Sequence, residues 1–159
     1  MKKIWIFIGL LVILALILSS KNSTSANQVL LLEKDRSFQK LSIHDKKITV
    51  EVVNTEASTE QGLSDRAQIG SDGMLFAFPQ SQIQHFWMKE MRFDLDMVWL
   101  NNLRIIDISH NVPMPRPDQT LQQLPVFSSK APANEVLEIP AGTAENWNLK
   151  IGDQFELTQ

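Results

Sequence analysis

The chain has 159 residues, 43% of them apolar and 21% charged, with a formal charge of −3 at pH 7. That composition is globular, leaves room for one domain plus an accessory segment, and excludes intrinsic disorder as the default. The negative balance argues against a nucleic-acid binder working through a basic surface, and the lack of cysteine excludes disulfides, thiolate metal sites and cysteine nucleophiles.

Lys2-Lys3 precede an unbroken apolar run from Ile4 to Leu18. As a helix this run spans about 22 Å, short of the ~30 Å hydrocarbon core of a bilayer. It is apolar on every face, which is wrong for a helix of a soluble domain. Residues 1–20 therefore read as a hydrophobic helix, either a signal peptide with a conceivable cleavage point after Ala26 or a retained membrane anchor. Both readings keep the lysines inside and send the rest of the chain out, to the outer side of the cell membrane or into a secreted or periplasmic form.

Residues 21–46 read as a linker with room for an extra strand. Lys21 to Asn27 is rich in Ser, Thr and Asn, Val29 to Leu32 is apolar, and Leu41 and Ile43 alternate with polar neighbours. The main domain is expected over 47–159. Ile48, Val50 and Val52 share one face of a half-buried strand over Lys47–Val53. Asn54 is placed as the N-cap of a short helix that Gly62 ends. Gly70-Ser71-Asp72-Gly73 is a turn, followed by a strand over Met74–Phe78 that Pro79 is expected to stop.

A polar loop, Gln80 to Gln84, leads into the stretch His85–Leu100, where two tryptophans and two phenylalanines lie beside Lys89, Arg92, Asp94 and Asp96. Leu95–Leu100 and Leu103–Ser109 predict a hairpin across Asn101-Asn102, since Asn tolerates the positive φ of a tight turn. Pro113, Pro115 and Pro117 exclude a central strand and begin a loop that reaches Pro125. Val136–Ile139 predicts another strand, Ala141–Asn148 a short helix and Gln154–Leu157 a last strand. Six or seven short strands against two short helices predict a mainly β fold, a compact single-domain barrel or sandwich behind the N-terminal hydrophobic helix.

Five blocks stand in register: Gln61-Gly62-Leu63-Ser64-Asp65-Arg66, Gly73-Met74-Leu75-Phe76-Ala77-Phe78, Phe86-Trp87-Met88-Lys89, Leu95-Asp96-Met97-Val98-Trp99 and Val136 to Thr143. In this order they resemble the family of domain of unknown function 192 (DUF192, UPF0127), over roughly Lys47 to Leu157. The resemblance implies a compact, mainly β domain of bacteria and archaea, often behind a signal or anchor segment, with no established activity. Arg66, Lys89 and Asp96 match the family pattern. Where the family often has Asn and Thr after Trp-Met-Lys, this chain has Glu90 and Met91.

The candidate ligand-binding residues are Arg66, Trp87, Lys89 and Asp96, read as a polar pocket with Trp87 as its apolar wall. The competing reading of the same charges is a structural ion network. Asp94 and Asp96 fall on one side of an extended chain and form the minimal kit of a carbohydrate hydrolase, although such carboxylates more often bind backbone amides. Phe86, Trp87, Phe93 and Trp99 read as a sugar platform or as plain core. Asp107 and His110 point to opposite strand faces, against a metal site with His85. No catalytic residue, metal or cofactor is predicted. The expected function is an extracytoplasmic accessory domain binding a small molecule, glycan or envelope protein, with an envelope carbohydrate hydrolase and a purely structural surface protein as alternatives.

Overall fold

The computed structural model describes residues 37–158. The hydrophobic helix over 1–20, the point after Ala26 and the apolar Val29–Leu32 lie outside the described residues. Among those described, no helix is long and apolar enough to cross a membrane.

The strands in chain order are β1 (Ser37–Ile43), β2 (Lys46–Val53), β3 (Gly73–Gln82), β4 (His85–Trp87), β5 (Leu95–Asn101), β6 (Arg104–Val112), β7 (Val126–Ser128), β8 (Ala133–Pro140) and β9 (Glu156–Thr158). Two short helices, α1 (Glu56–Gln61) and α2 (Thr143–Asn146), interrupt them. Seven strands make one sheet in the order β6-β5-β8-β3-β2-β1-β9, and β4 and β7 make a separate two-stranded ribbon. The fold is mainly β, as expected, but the sheet is open where a closed barrel was one expectation. Its edges approach through a short run around the Arg104–Gln154 bridge, where Ile105 N donates to Asp153 O (2.8 Å), Gly152 N to Ile105 O (2.8 Å) and Phe155 N to Leu103 O (2.9 Å). Those bonds come from residues 152–155, ahead of β9, whose own three residues pair with β1, with Leu41 opposite Leu157, so β6 and β9 form no ladder that closes the sheet.

Both faces of the sheet are covered, which is why the middle strands read as near-continuous apolar runs. One face carries Leu41, Val50, Leu75, Val98, Leu137 and Phe155, joined by Ala144 and Leu149 from around α2. The other carries Met74, Phe76, Met97, Trp99 and Val136, covered by Leu63, Ile69 and Met88. A cavity lies on this second face.

Several sequence expectations shift by a residue or two, each for a local reason. The N-cap of α1 is Thr55 and not Asn54: Thr55 Oγ1 accepts from Ser58 N (3.2 Å) and Ser58 Oγ accepts from Thr55 N (3.1 Å), a reciprocal capping box. The hairpin turn centres on Asn102 (φ 50) and Leu103 (φ 61), since Asn101 still pairs with Arg104. Leu103 accepts the left-handed backbone because its side chain packs on the first core and its N–H donates to Glu135 Oε2 (3.2 Å). Strand β3 continues through Pro79, which was expected to stop it. The ladder to β8 lapses between Ala77 and Gln82, so no backbone donor is required there.

Strands β2 and β3 are parallel, and the connection through α1 makes that possible. Gly73 begins β3 where the chain passes closest to β8: an added Cβ would lie 2.9 Å from both Glu138 O and Ile139 Cγ2. Gly73→Ala is therefore expected to destabilise the chain by about 2 kcal/mol through backbone displacement. Urea unfolding checks this, and an unchanged midpoint would mean that β3 and β8 separate locally at no cost.

Candidate functional site

A cavity of about 480 Å³ opens between the second sheet face, α1 with the turn after it, and β4. Its walls are aromatic. Phe86 is the hub, meeting Phe76 edge-on at 5.0 Å between centroids, Phe78 at 6.2 Å and the core Trp99 at 5.7 Å. Strand pairing explains the cluster: Phe76 and Phe78 alternate onto one face of β3, and β4, paired to β7 through Phe86 and Phe127, lays Phe86 over them. Trp87 alternates outward at 50% exposure and forms an outer wall.

The polar groups come from three directions. Glu56 and Glu60 of α1 line one side. At the ribbon, Gln84 is buried with its Nε2 donating to Ala133 O (3.0 Å), and His85 Nδ1 is joined to Ser128 Oγ (2.7 Å). Lys89 holds its Nζ 5.9 Å from the centre of the Trp87 ring and 3.9 Å from Glu90 Oε1. The loop carrying Lys89 is clasped by the turn after α1, with Ser64 Oγ donating to Lys89 O (3.0 Å) and Asp65 N to Glu90 O (2.9 Å). Glu90 there is left-handed (φ 57), a backbone that suits the family's Asn and costs glutamate about 1 kcal/mol.

Glu138 is the group that the sequence reading missed. It sits on β8 opposite Met74 of β3 and Met97 of β5, on the same face as Val136 and Phe76. The residue is 5% exposed and lines the cavity, yet no hydrogen bond or ion pair from a described residue reaches its carboxyl. Burial alone pushes the carboxyl up to about 8, so it is neutral at pH 7. The available signal was a lone carboxylate inside the apolar run Val136-Leu137-Glu138-Ile139.

The four candidate residues do not come together in one site. Trp87 and Lys89 line the cavity, and Arg66 and Asp96 do not. Arg66 makes a two-pronged pair with buried Glu51, at 2.6 and 2.9 Å, and also reaches Ile69 O (3.3 Å). Asp96 is fully buried, with Oδ1 accepting from Asn111 N and Oδ2 from Ala144 N, each at 2.8 Å. Asp94 accepts from Met114 N (2.8 Å) and is likewise outside the cavity. Trp99 is core, its Nε1 donating to Ser109 Oγ (3.0 Å). Asp107 is taken by Lys130 Nζ (2.8 Å).

The model of the DUF192 family, described as Uncharacterized ACR, matches residues 39–157. No curated protein matches the chain in sequence. Among solved structures, it is similar to a candidate transcription regulator from Sinorhizobium meliloti 1021, at 27% identity and a TM-score of 0.68 over 77% of this chain and 95% of that one. It is also similar to a protein of unknown function from Novosphingobium aromaticivorans DSM 12444, at 25% identity and a TM-score of 0.62 over 76% of this chain and 84% of that one.

Proposed function

The chain belongs to the DUF192 family, and we propose that its domain is a non-catalytic, extracytoplasmic binding module that holds a small molecule in the aromatic cavity. The observation that carries this reading is the pairing of a concave, aromatic-walled space with an interior carboxyl that has no partner among the described residues. Ligand sites combine these features: apolar walls that bury the ligand and a few polar groups that orient it. A purely structural domain has no use for an unsatisfied acid at the end of a cavity, because such a group only costs stability. Export is supported by Lys2-Lys3 and the apolar run Ile4 to Leu18.

The carbohydrate hydrolase gains no support from the geometry. Asp96 has both oxygens occupied by main-chain N–H groups, and Asp94 is tied to Met114. A general acid and base need free access to a substrate bond, and neither residue lines the cavity.

The reading is tested by thermal shift of the full chain against sugars, amines, carboxylates and nucleotides. A ligand at about a hundred times its dissociation constant adds roughly 2.7 kcal/mol, a rise of several degrees. Trp87→Ala alters a half-exposed position and leaves the core intact, so it is expected to weaken the shift without lowering the unliganded Tm. Silence across every class would sink the small-molecule reading. Protease access to the domain in intact cells tests its location, and complete protection would overturn the extracytoplasmic assignment.

A further inference from the structure

The cavity is chemically lopsided. Three glutamates, Glu56, Glu60 and Glu138, line it against one lysine, and that lysine is directed at the Trp87 ring. Ringed by Phe76, Phe78 and Phe86, the space presents aromatic surface and acceptor oxygens, the combination that attracts organic cations. The other buried acids among the described residues have partners: Asp96 holds two amides, Glu51 holds Arg66 and Asp107 holds Lys130. Glu138 is the exception among them, and its side chain faces the cavity. A buried carboxylate is stable only when paired, and a cation arriving from outside would supply that pair for Glu138.

We propose that the Glu138 end of the cavity takes the ammonium group of a small organic amine, ion-paired to the Glu138 carboxylate, with the apolar stem of the amine along Phe76 and Phe78. The inference rests on reading the cavity as a small-molecule site and names the ligand class for it. The stem has room to run: Glu138 and the Gln84 amide, anchored at Ala133 O, lie five residues apart along β8, roughly 17 Å. Before binding, burial holds the carboxyl in its protonated form. Binding therefore exchanges a proton for the cation: the Glu138 O–H proton leaves to solvent, and the amine enters already as ammonium.

The groups packed around Glu138 come from the sheet and from the elements that cover it. The adjacent strands β3 and β5 place Met74 and Met97 beside it, and β2 beyond them carries Glu51 already paired with Arg66. From the covering elements come Glu56 and Glu60 of α1, His85 of β4 and Lys89.

The experiment is isothermal titration of the full chain with n-hexylammonium, between about pH 6 and pH 9, in buffers of different ionisation enthalpy. The association constant is expected to rise about tenfold per pH unit up to about pH 8 and then level off, with one proton released per ligand below that point. 1-Hexanol and hexanoate are expected to bind at least tenfold more weakly, and Glu138→Gln to lose roughly a hundredfold in affinity for the amine at pH 9. Amine binding without proton release, or equal affinity for hexanoate, overturns the inference. A ligand of another class that binds wild type and is lost in Trp87→Ala overturns the inference while the small-molecule site stands. A blocked lysine tripeptide binding more tightly than n-hexylammonium assigns the site to a protein lysine and overturns the small-amine assignment.

Discussion

Glu138→Gln is expected to stabilise the unliganded chain by about 3 kcal/mol at pH 7, raising Tm by roughly 10 °C. The carboxyl titrates near its ordinary 4.5 in the unfolded chain and near 8 in the folded one, because burial penalises its charged form. Between those values the folded state holds a proton that the unfolded state releases, so stability falls as pH rises. Each pH unit is worth about 1.4 kcal/mol, which totals about 5 kcal/mol by pH 8 and about 3 by pH 7. Below pH 4.5 both states are protonated and above pH 8 both are ionised, so the contribution is flat outside this window. Glutamine has no proton to lose and removes the slope altogether. Urea unfolding of both proteins at half-unit pH steps separates the curves. Parallel curves would show that Glu138 titrates normally when folded, and the cavity would then be wetter than its burial implies. A saturating amine is expected to restore the wild type toward the stability of the variant, since it supplies the charge partner that burial withholds.

That prediction links stability to function through one side chain. A protein selected for packing alone would replace Glu138 with an apolar residue and gain several kcal/mol. Keeping the acid makes sense only if the group does something when the cavity is filled. The same logic separates Glu138 from Glu51, which is equally buried but discharges its cost against the Arg66 guanidinium.

How much of this was legible in the sequence follows from the range of the interaction involved. Local signals carried well: the alternation of Ile48, Val50 and Val52, the short helix before Gly62, and the hairpin of β5 and β6 all depend on neighbours within a few positions. Elements that depend on distant partners were lost. The ribbon partner Val126–Ser128 is three residues long and has no periodicity of its own, so it fell in a stretch that was given no element. The burial of Glu51 was not legible, because alternation alone cannot show that the Arg66 guanidinium closes over the second face of β2. The site divided in the same way. Trp87 and Lys89 announced themselves by composition, whereas Glu138 became visible only once β8 was placed between β3 and β5 with α1 across the opening. Asp96 looked like a ligand group because a lone carboxylate in an apolar strand is as compatible with a pocket as with a clamp.

Asp96→Asn is expected to be the most damaging single-atom exchange in the domain. The carboxylate accepts from Asn111 N, at the irregular point where β6 gains a residue against β5, and from Ala144 N, in the first turn of α2. One oxygen therefore fixes the bulge and the other fixes the helix, and the fully buried strand between them holds both in register. Asn111 is left-handed there (φ 50), a backbone that the Asp96 bond helps to hold. Asparagine keeps the shape but turns one acceptor into an NH₂ group, which must face a main-chain donor with no room to flip away. The cost is about 3 kcal/mol from the lost charge-assisted bond and the orphaned N–H, and Asp96→Ala, which orphans both amides, is expected to cost about 4 kcal/mol. Because Asp96 does not line the cavity, the surviving folded fraction of either variant should bind n-hexylammonium with unchanged affinity once corrected for its population. Hydrogen exchange at Asn111 and Ala144 supplies the local readout, with both amides exchanging faster in the Ala variant and one of them in the Asn variant. If instead both variants fold with wild-type stability but lose the ligand, Asp96 is a binding residue after all, and the division between clamp and cavity drawn from the geometry is wrong.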